Sequence, residues 1–559
     1  MKPPRNFAFR SFLIGTLLFA LPAQVGAWEP NAINFNDAIR SSDFARYFNH
    51  VSAWLNQKAP IKPNEATLIA LLDEPAFALA LAERQLIAKT GADKLNAFTR
   101  VAPSNAAFIS WLLKNTQAMN LYLEGTVPLG LAAREENSYT LSIESLEIWK
   151  SIFTADPDSK DGIYLKLAIA TAIAPPGSIN IGAGGAKIPA TPLARYRHFK
   201  NAHNNQELFP SFDKLTVWEY TKILSSGASD EDLTWARQMI NTWQPDLKTH
   251  ELVVNSTSEV WRRNSPIEFD GSFKNVLAGG GKCGPRSSWS VMICHAFGIP
   301  AIGVGQPGHA CVAYKTAFPT NDPQPGSAWK VGYGRGWEFS KLEAMSGLDF
   351  LAAVQQRDHA AEFSRIEHLR WLAAALTAPE AVASIMEVAH KIQKSLAEVK
   401  TDVTASLKPE EAEKEPTSQA NTPAASSHGP AKVTTGTTHI EAAAFTRMSG
   451  VKIYDCFTGG KQVNFQKNIN DSWLDYTLQV STAGTYSLTL KVAAANVDQV
   501  FNLKTGSSEP VTVKIPWTTG LWETTPPMDL KLEAGTQTLR ISAPFQRAIA
   551  LRYLELKSK

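Results

Sequence analysis

The sequence predicts a multidomain α+β protein: a helical region first, an α+β core next and a β-sandwich at the C-terminus. Three observations carry that prediction. Apolar residues recur at helical spacing through residues 28–265; a Pro/Ser/Thr/Ala/Glu-rich stretch fills 404–437; and period-2 alternation dominates 438–559. A chain of 559 residues is too long for one compact domain. Its 44% hydrophobic and 19% charged content is ordinary for a soluble globular protein.

At the N-terminus, Lys2, Arg5 and Arg10 precede an apolar run from Phe12 to Leu21, and Val25-Gly26-Ala27 supplies small residues at a cleavage site. This is a signal-peptide pattern over 1–27, with a run too short for a membrane span; an uncleaved anchor is the competing reading. The expected location is therefore secreted, periplasmic or cell-surface. Removing three basic residues and no acidic ones takes the formal charge from +3 to 0, which argues against a nucleic-acid partner. No other apolar stretch approaches about 18 residues, so no transmembrane anchor is expected. The four cysteines, Cys283, Cys294, Cys311 and Cys456, are too few for a disulfide framework.

In the helical region, "PNEATLIALLDEPAFALALAERQLIAKTG" carries apolar residues at 3–4 spacing and ends at Gly91. "NAAFISWLLKNTQAMNLYL" and "DEDLTWARQMINTWQPDL" read the same way, and "PPGSINIGAGGAKIPATP" interrupts as a Gly/Pro loop. This region shows no motif tied to chemistry and reads as a scaffold or substrate-facing platform. The segment 266–403 changes character. Glycine becomes dense, and "PAIGVG", "HACVAYKT" and "SAWKVGYG" read as short strands before helical patterning resumes at Leu348. The stretch 404–437 lacks the apolar surface to fold and reads as a linker. Beyond it, "WLDYTLQV" and "GTYSLTLKV" alternate with period 2, and about 120 residues of such strands suit a sandwich.

Chemistry concentrates in "GGGKCGPRSSWSVMICHAFGIPA", residues 279–301. Pro285 suits the first turn of a helix, and Trp289, Met292, Ile293, Ala296 and Phe297 form one buried stripe. Cys283 then lies at the N-terminus of a core helix, where free N–H groups and the dipole favour a thiolate. Gly279 to Gly281 allow a sharp turn that leaves the sulfur accessible. His309 opens the next strand but one and is positioned to act as base. His295 is about 18 Å of helical rise from Cys283, so a structural or surface role is expected. A Cys294–Cys311 disulfide is an alternative that the same geometry mismatches in level. No CxxC or HxxxH spacing supports zinc, so neither a metal nor a cofactor is expected. Oxyanion donors are expected among backbone N–H groups at the helix start, and Trp289 in the core.

The pattern "KCGPRSSWSVMICHAFGIPAIGV…GHACVAY…AW" resembles the core of the transglutaminase-like superfamily. The matching residues are Cys283, Gly284, Gly298, Ile299, Pro300, Ala301, Gly308 and His309. The resemblance implies a papain-like fold and acyl transfer through a thioester, with Cys283 as nucleophile and His309 as general base and acid. Members crosslink proteins, hydrolyse peptides or remove N-glycans from asparagine. The implied substrate is a protein, glycoprotein or cell-wall peptide. The family's histidine-orienting aspartate has no obvious counterpart. Pairing across the 317–326 loop puts Gly332–Arg335 opposite His309, and no acid stands there. Asp322 lies in the loop; Glu338, just past the strand, is the candidate third member, with backbone or solvent support for the histidine as the alternative. A non-catalytic scaffold is the competing reading.

"HIEAAAFTRMSGV…DSWLDYTLQVSTAGTYSLTLKVAA…TTGLWETT…LEAGTQTLRIS…LRYLELK" resembles family 6-type carbohydrate-binding modules, which are galactose-binding-like β-sandwiches. The resemblance implies a carbohydrate ligand in a loop-end cleft, held between aromatic rings. Trp522 matches one platform and Phe465 the other, with Trp517 a nearby alternative; loop packing is the competing role for all three. The family's opening "EAE" is "EAA" here, leaving Glu441, and its acidic residue in the last strand is Arg552. A structural calcium is therefore not expected. Such a module would tether the protein to a glycan-bearing surface.

Overall fold

The computed structural model describes residues 28–60, 63–130, 139–178, 190–249, 252–260, 270–316, 329–396, 424–426, 428–466, 472–544 and 548–559. The expected signal segment, Asp322 and residues 404–423 of the expected linker lie outside them. No described helix is long and apolar enough to cross a membrane.

Helices run from Ala32 to Trp243, with local sequence setting their ends. Asn64 and Thr67 form a capping box that starts Glu65–Leu72, and Thr216 and Glu219 do the same for Val217–Leu224. The apolar stretch 65–90 is broken by Pro75, which begins its own helix, Pro75–Thr90, ending where Gly91 takes φ +93°. That helix is buried on nearly every side. Among its buried residues is Glu83, wholly inside, where one carboxylate oxygen accepts a 2.8 Å hydrogen bond from the Tyr47 hydroxyl. Burial pushes the Glu83 carboxyl up to about 8.

The apolar cluster that fills these helices continues through Trp289, Met292 and Ile293 to Ile385 and Ala389. The residues grouped above as a helical region and an α+β core therefore share one interior. Helix Cys283–Ala296 is the central element of that join, and Gly298, at φ +76°, turns the chain out of it. A side chain at Gly298 would lie 2.7 Å from the Phe212 ring.

Five short antiparallel strands follow: β1 (Ala301–Gln306), β2 (His309–Lys315), β3 (Trp329–Gly332), β4 (Lys341–Leu342) and β5 (Met345–Ser346), in the order β3-β2-β1-β4-β5. Pro307 and Gly308 make the β1–β2 turn, so Gln306 pairs with His309. Ile302, Val304, Cys311 and Ala313 pack with Phe350, Leu351 and Val354 of helix Gly347–Asp358 in a second, smaller core.

The C-terminal domain is a β-sandwich of two seven-stranded sheets among the described residues. One is built on Gly484–Ala494 against Ile549–Ser558, the other on Ser472–Val480 against Gly535–Ala543. Leu474, Tyr476, Leu478 and Val480 alternate into the interior opposite Leu488, Leu490 and Val492. The sandwich starts before residue 438. Ala424–Ala425 pairs with Arg447 and Met448, Ala431–Val433 pairs in parallel with Leu478–Val480, and Val433 is wholly buried, so the low-complexity composition hid two strands.

Candidate functional site: a cysteine helix mouth and a docked sandwich

Cys283 is the first residue of its helix, and Lys282 before it provides no side-chain cap. Pro285 has no N–H and that of Arg286 reaches Lys282 O, so the N–H groups of Cys283 and Gly284 are left with neither an intrahelical acceptor nor a side-chain cap. The thiol is half-buried, and all four cysteines are free, so the Cys294–Cys311 bridge does not form. One turn on, the Ser287 hydroxyl donates to the Cys311 carbonyl at 2.6 Å, pinning the helix mouth to β2. Burial and the neighbouring Cys283 push the Cys311 thiol up to about 12, and burial alone raises Cys294 further. Of the four cysteines Cys283 alone is half-buried; the other three are buried. Trp289 is core, fully buried, with its Nε1–H on the Ser256 hydroxyl at 3.1 Å.

His309 starts β2, two residues before Cys311. Its Nε2 lies 2.6 Å from the Tyr333 carbonyl oxygen. A carbonyl only accepts, so Nε2 carries the proton and Nδ1 keeps its lone pair in the neutral ring. The β2–β3 register pairs Val312 with Gly332, and running it on sets Tyr333 and Arg335 opposite Cys311 and His309. Among the described residues no hydrogen bond joins Cys283 directly to His309. Glu338, the expected third member, is exposed in the short turn Trp337–Phe339, and His309 does not bond it. The histidine's partner is a main-chain oxygen instead. His295 is structural, fully buried with Nε2 on the Ala301 carbonyl at 2.9 Å, and burial lowers its pKa to about 4.

The sandwich does not stand apart from the helices. Its loop end and one strand pack on helix Asp230–Trp243. The Trp243 indole N–H donates to Ala548 O at 2.7 Å, and that of Trp235 to Thr519 O at 3.0 Å. Gln462 and Asn464, in strand Lys461–Phe465, donate to the carbonyls of Thr242 and Trp243 at 2.9 and 2.6 Å. Those carbonyls end the helix and lack intrahelical donors, so two amide side chains cap it from another domain. Gly520, at φ +80°, sits so close that a Cβ there would overlap the Met239 side chain.

Residues 441–558 match the family described as Carbohydrate binding module (family 6). The C-terminal domain is a carbohydrate-binding module. Among solved structures, the C-terminal family 6 module of a marine laminarinase from Zobellia galactanivorans aligns at 22% identity over 22% of this chain and 99% of its own, with a TM-score of 0.20. A module of Cellvibrio mixtus lichenase 5A, in complex with cellotriose, aligns at 21% over 22% and 97%, also at 0.20. A β-1,3-glucan binding module from Bacillus halodurans gives 16%, 22%, 99% and 0.20. No curated protein matches the chain.

Within the module, Phe465 is only 1% exposed and packs in the sandwich interior against Phe501, with centroids 4.7 Å apart and the rings tilted by 51°. It offers no face to a sugar, which corrects the expectation of a platform there. Trp522 is half-buried and follows directly on the docked turn Thr519–Leu521; Trp517 donates from Nε1 to Ala495 O at 3.0 Å. Sequence reading passed over Trp473. This half-exposed ring on strand Ser472–Val480 has the Arg540 guanidinium 4.1 Å from its centroid, and Asp475 fixes that guanidinium with two bonds of 2.7 and 2.8 Å. Its signal was the outward phase of "SWLDYT".

The oxygen atoms around Glu441 that could hold a structural calcium are already taken. Arg552 donates to the Glu441 carboxylate, to Lys461 O at 2.9 Å and to Gly459 O at 2.6 Å. A guanidinium occupies that cradle, and the residues do not fit a metal ion as well. EDTA is therefore expected to leave the thermal midpoint of the module unchanged. Arg552→Ala should lower its stability by about 1–3 kcal/mol, read by thermal unfolding.

Proposed function

We propose that the chain is an exported, cysteine-dependent acyl-transfer enzyme of transglutaminase-like type, acting on an amide in a protein, glycoprotein or cell-wall peptide and held near it by the carbohydrate-binding module. One observation supports this above the rest. The accessible thiol begins an uncapped helix beside a strand that opens on a histidine whose ring is oriented through Nε2–H, leaving Nδ1 to accept a proton. In this reading Nδ1 of His309 takes the Cys283 proton, and the thiolate attacks the amide carbon. N–H groups of the first helical turn receive the developing oxyanion. His309 then protonates the departing amine, and water or a second amine resolves the thioester. The module binds carbohydrate and raises the local concentration of the site on a glycan-bearing surface. The exposed position of Glu338 favours the second reading, a non-catalytic scaffold with the same module.

Iodoacetamide labelling of the folded protein separates the two. The enzyme reading expects Cys283 to react first of the four cysteines and well below about pH 8, with His309→Ala removing the low-pH reactivity. A Cys283 that reacts no faster than a free thiol would sink it. For the module, retardation on gels containing soluble polysaccharides should identify the ligand. Trp522→Ala and Trp473→Ala would then locate the binding ring.

A further inference from the structure

We propose that Tyr333 is the positioning residue for His309, supplying through its main-chain carbonyl what a carboxylate would otherwise supply. The inference rests on the acyl-transfer reading for its consequence, but its geometry is independent of it. In "VGYGRG", glycines stand on both sides, yet the residue in the left-handed region is the tyrosine, with φ +58°. L side chains rarely adopt that conformation, and it persists only where surroundings impose it; such residues gather at functional sites.

The surroundings here are explicit. The Tyr333 ring packs against the main helical core, and its hydroxyl donates to Val254 O at 3.3 Å. The Arg286 guanidinium, one turn from Cys283, lies 5.8 Å from the ring centroid. On the other side, Gly334 has no room for a side chain: a Cβ would lie 2.7 Å from Cys311 Sγ and 3.0 Å from Gln306 Nε2. Gln306 Oε1 accepts the Arg335 N–H at 3.0 Å, and Arg335 Nη1 donates to Pro307 O at 2.9 Å. The peptide after Tyr333 is thus held from both ends, and its oxygen is aimed at His309 Nε2. Fixing the Nε2–H tautomer leaves Nδ1 as the basic nitrogen. Any residue has a carbonyl; what Tyr333 adds is the backbone conformation and its anchor.

The test uses the full chain labelled with ¹⁵N-histidine, with the His309 signal assigned by its loss in His309→Gln. At a pH where the ring is neutral, wild type should show Nε2 protonated and Nδ1 not. Tyr333→Val, which disfavours the left-handed backbone, should give a tautomer mixture and slow Cys283 alkylation at neutral pH by about tenfold, with its pH midpoint displaced. Tyr333→Gly keeps the backbone and removes the anchor, so the same test stands if the valine variant does not fold. An unchanged tautomer and pH profile in the folded variants would overturn the proposal. A tautomer shift with no activation of Cys283 in wild type would instead uphold the positioning role and reject the acyl-transfer reading.

Discussion

Glu83→Gln is expected to flatten the pH dependence of stability and to stabilise the helical body by several kcal/mol at alkaline pH. The wild-type carboxyl is wholly buried, with one oxygen accepting from Tyr47 and the other without a partner among the described residues. Burial raises its folded pKa from 4.5 to about 8. Between those values the folded chain keeps a proton that the unfolded chain has released, so stability falls as pH rises, by about 1.4 kcal/mol per unit and ~5 kcal/mol in all. It is fully retained below the unfolded value. Glutamine is neutral throughout and still accepts the Tyr47 hydroxyl. Thermal midpoints measured from pH 5 to 9 should decline for wild type and stay level for Glu83→Gln. Parallel curves would mean that Glu83 ionises inside the fold without cost.

The second large effect is expected at Gly520. Valine there meets two penalties: a left-handed backbone that a β-branched residue resists, and overlap with Met239. Together they cost about 2–5 kcal/mol, the overlap falling on the docking of the module and the backbone strain on its own loop. Small-angle scattering should show a larger radius of gyration for Gly520→Val, with Trp243 fluorescence shifted toward that of an exposed indole. Unchanged scattering and fluorescence would show that the contact yields without separating. Trp522 follows the docked turn, so the same variant tests whether docking limits access to the module's loop end. Tighter polysaccharide binding by Gly520→Val would say that it does.

How far the chain could be read in advance depended on whether the deciding force was local. The helix start at Cys283, the exit at Gly298 and the β1–β2 turn follow from Pro, Gly and stripe signals within a few residues, and all three stand where expected. The register opposite His309 was legible for the same reason. Backbone support for the histidine stood as the alternative to Glu338, but which carbonyl would serve was not legible, because a main-chain oxygen leaves no mark in a sequence. Phe465 misled in a different way. Its place as a platform rested on the resemblance alone, whereas strand Lys461–Phe465 is buried on both faces, since Gln462 and Asn464 face the end of helix Asp230–Trp243. The apolar face of "DLTWARQMINTW" announced a buried helix without saying that its cover lay more than two hundred residues downstream.

The docked sandwich also bears on how this protein can be cut or recombined. Trp243 is wholly buried, and its indole and the last carbonyls of its helix are satisfied by groups from the C-terminal module. A fragment ending at the low-complexity stretch would present Trp235, Met239 and Trp243 to solvent as a raw apolar scar, prone to self-association. The module is therefore a poor candidate for swapping in a chimera, and the natural unit for expression, crystallisation or directed evolution is the pair.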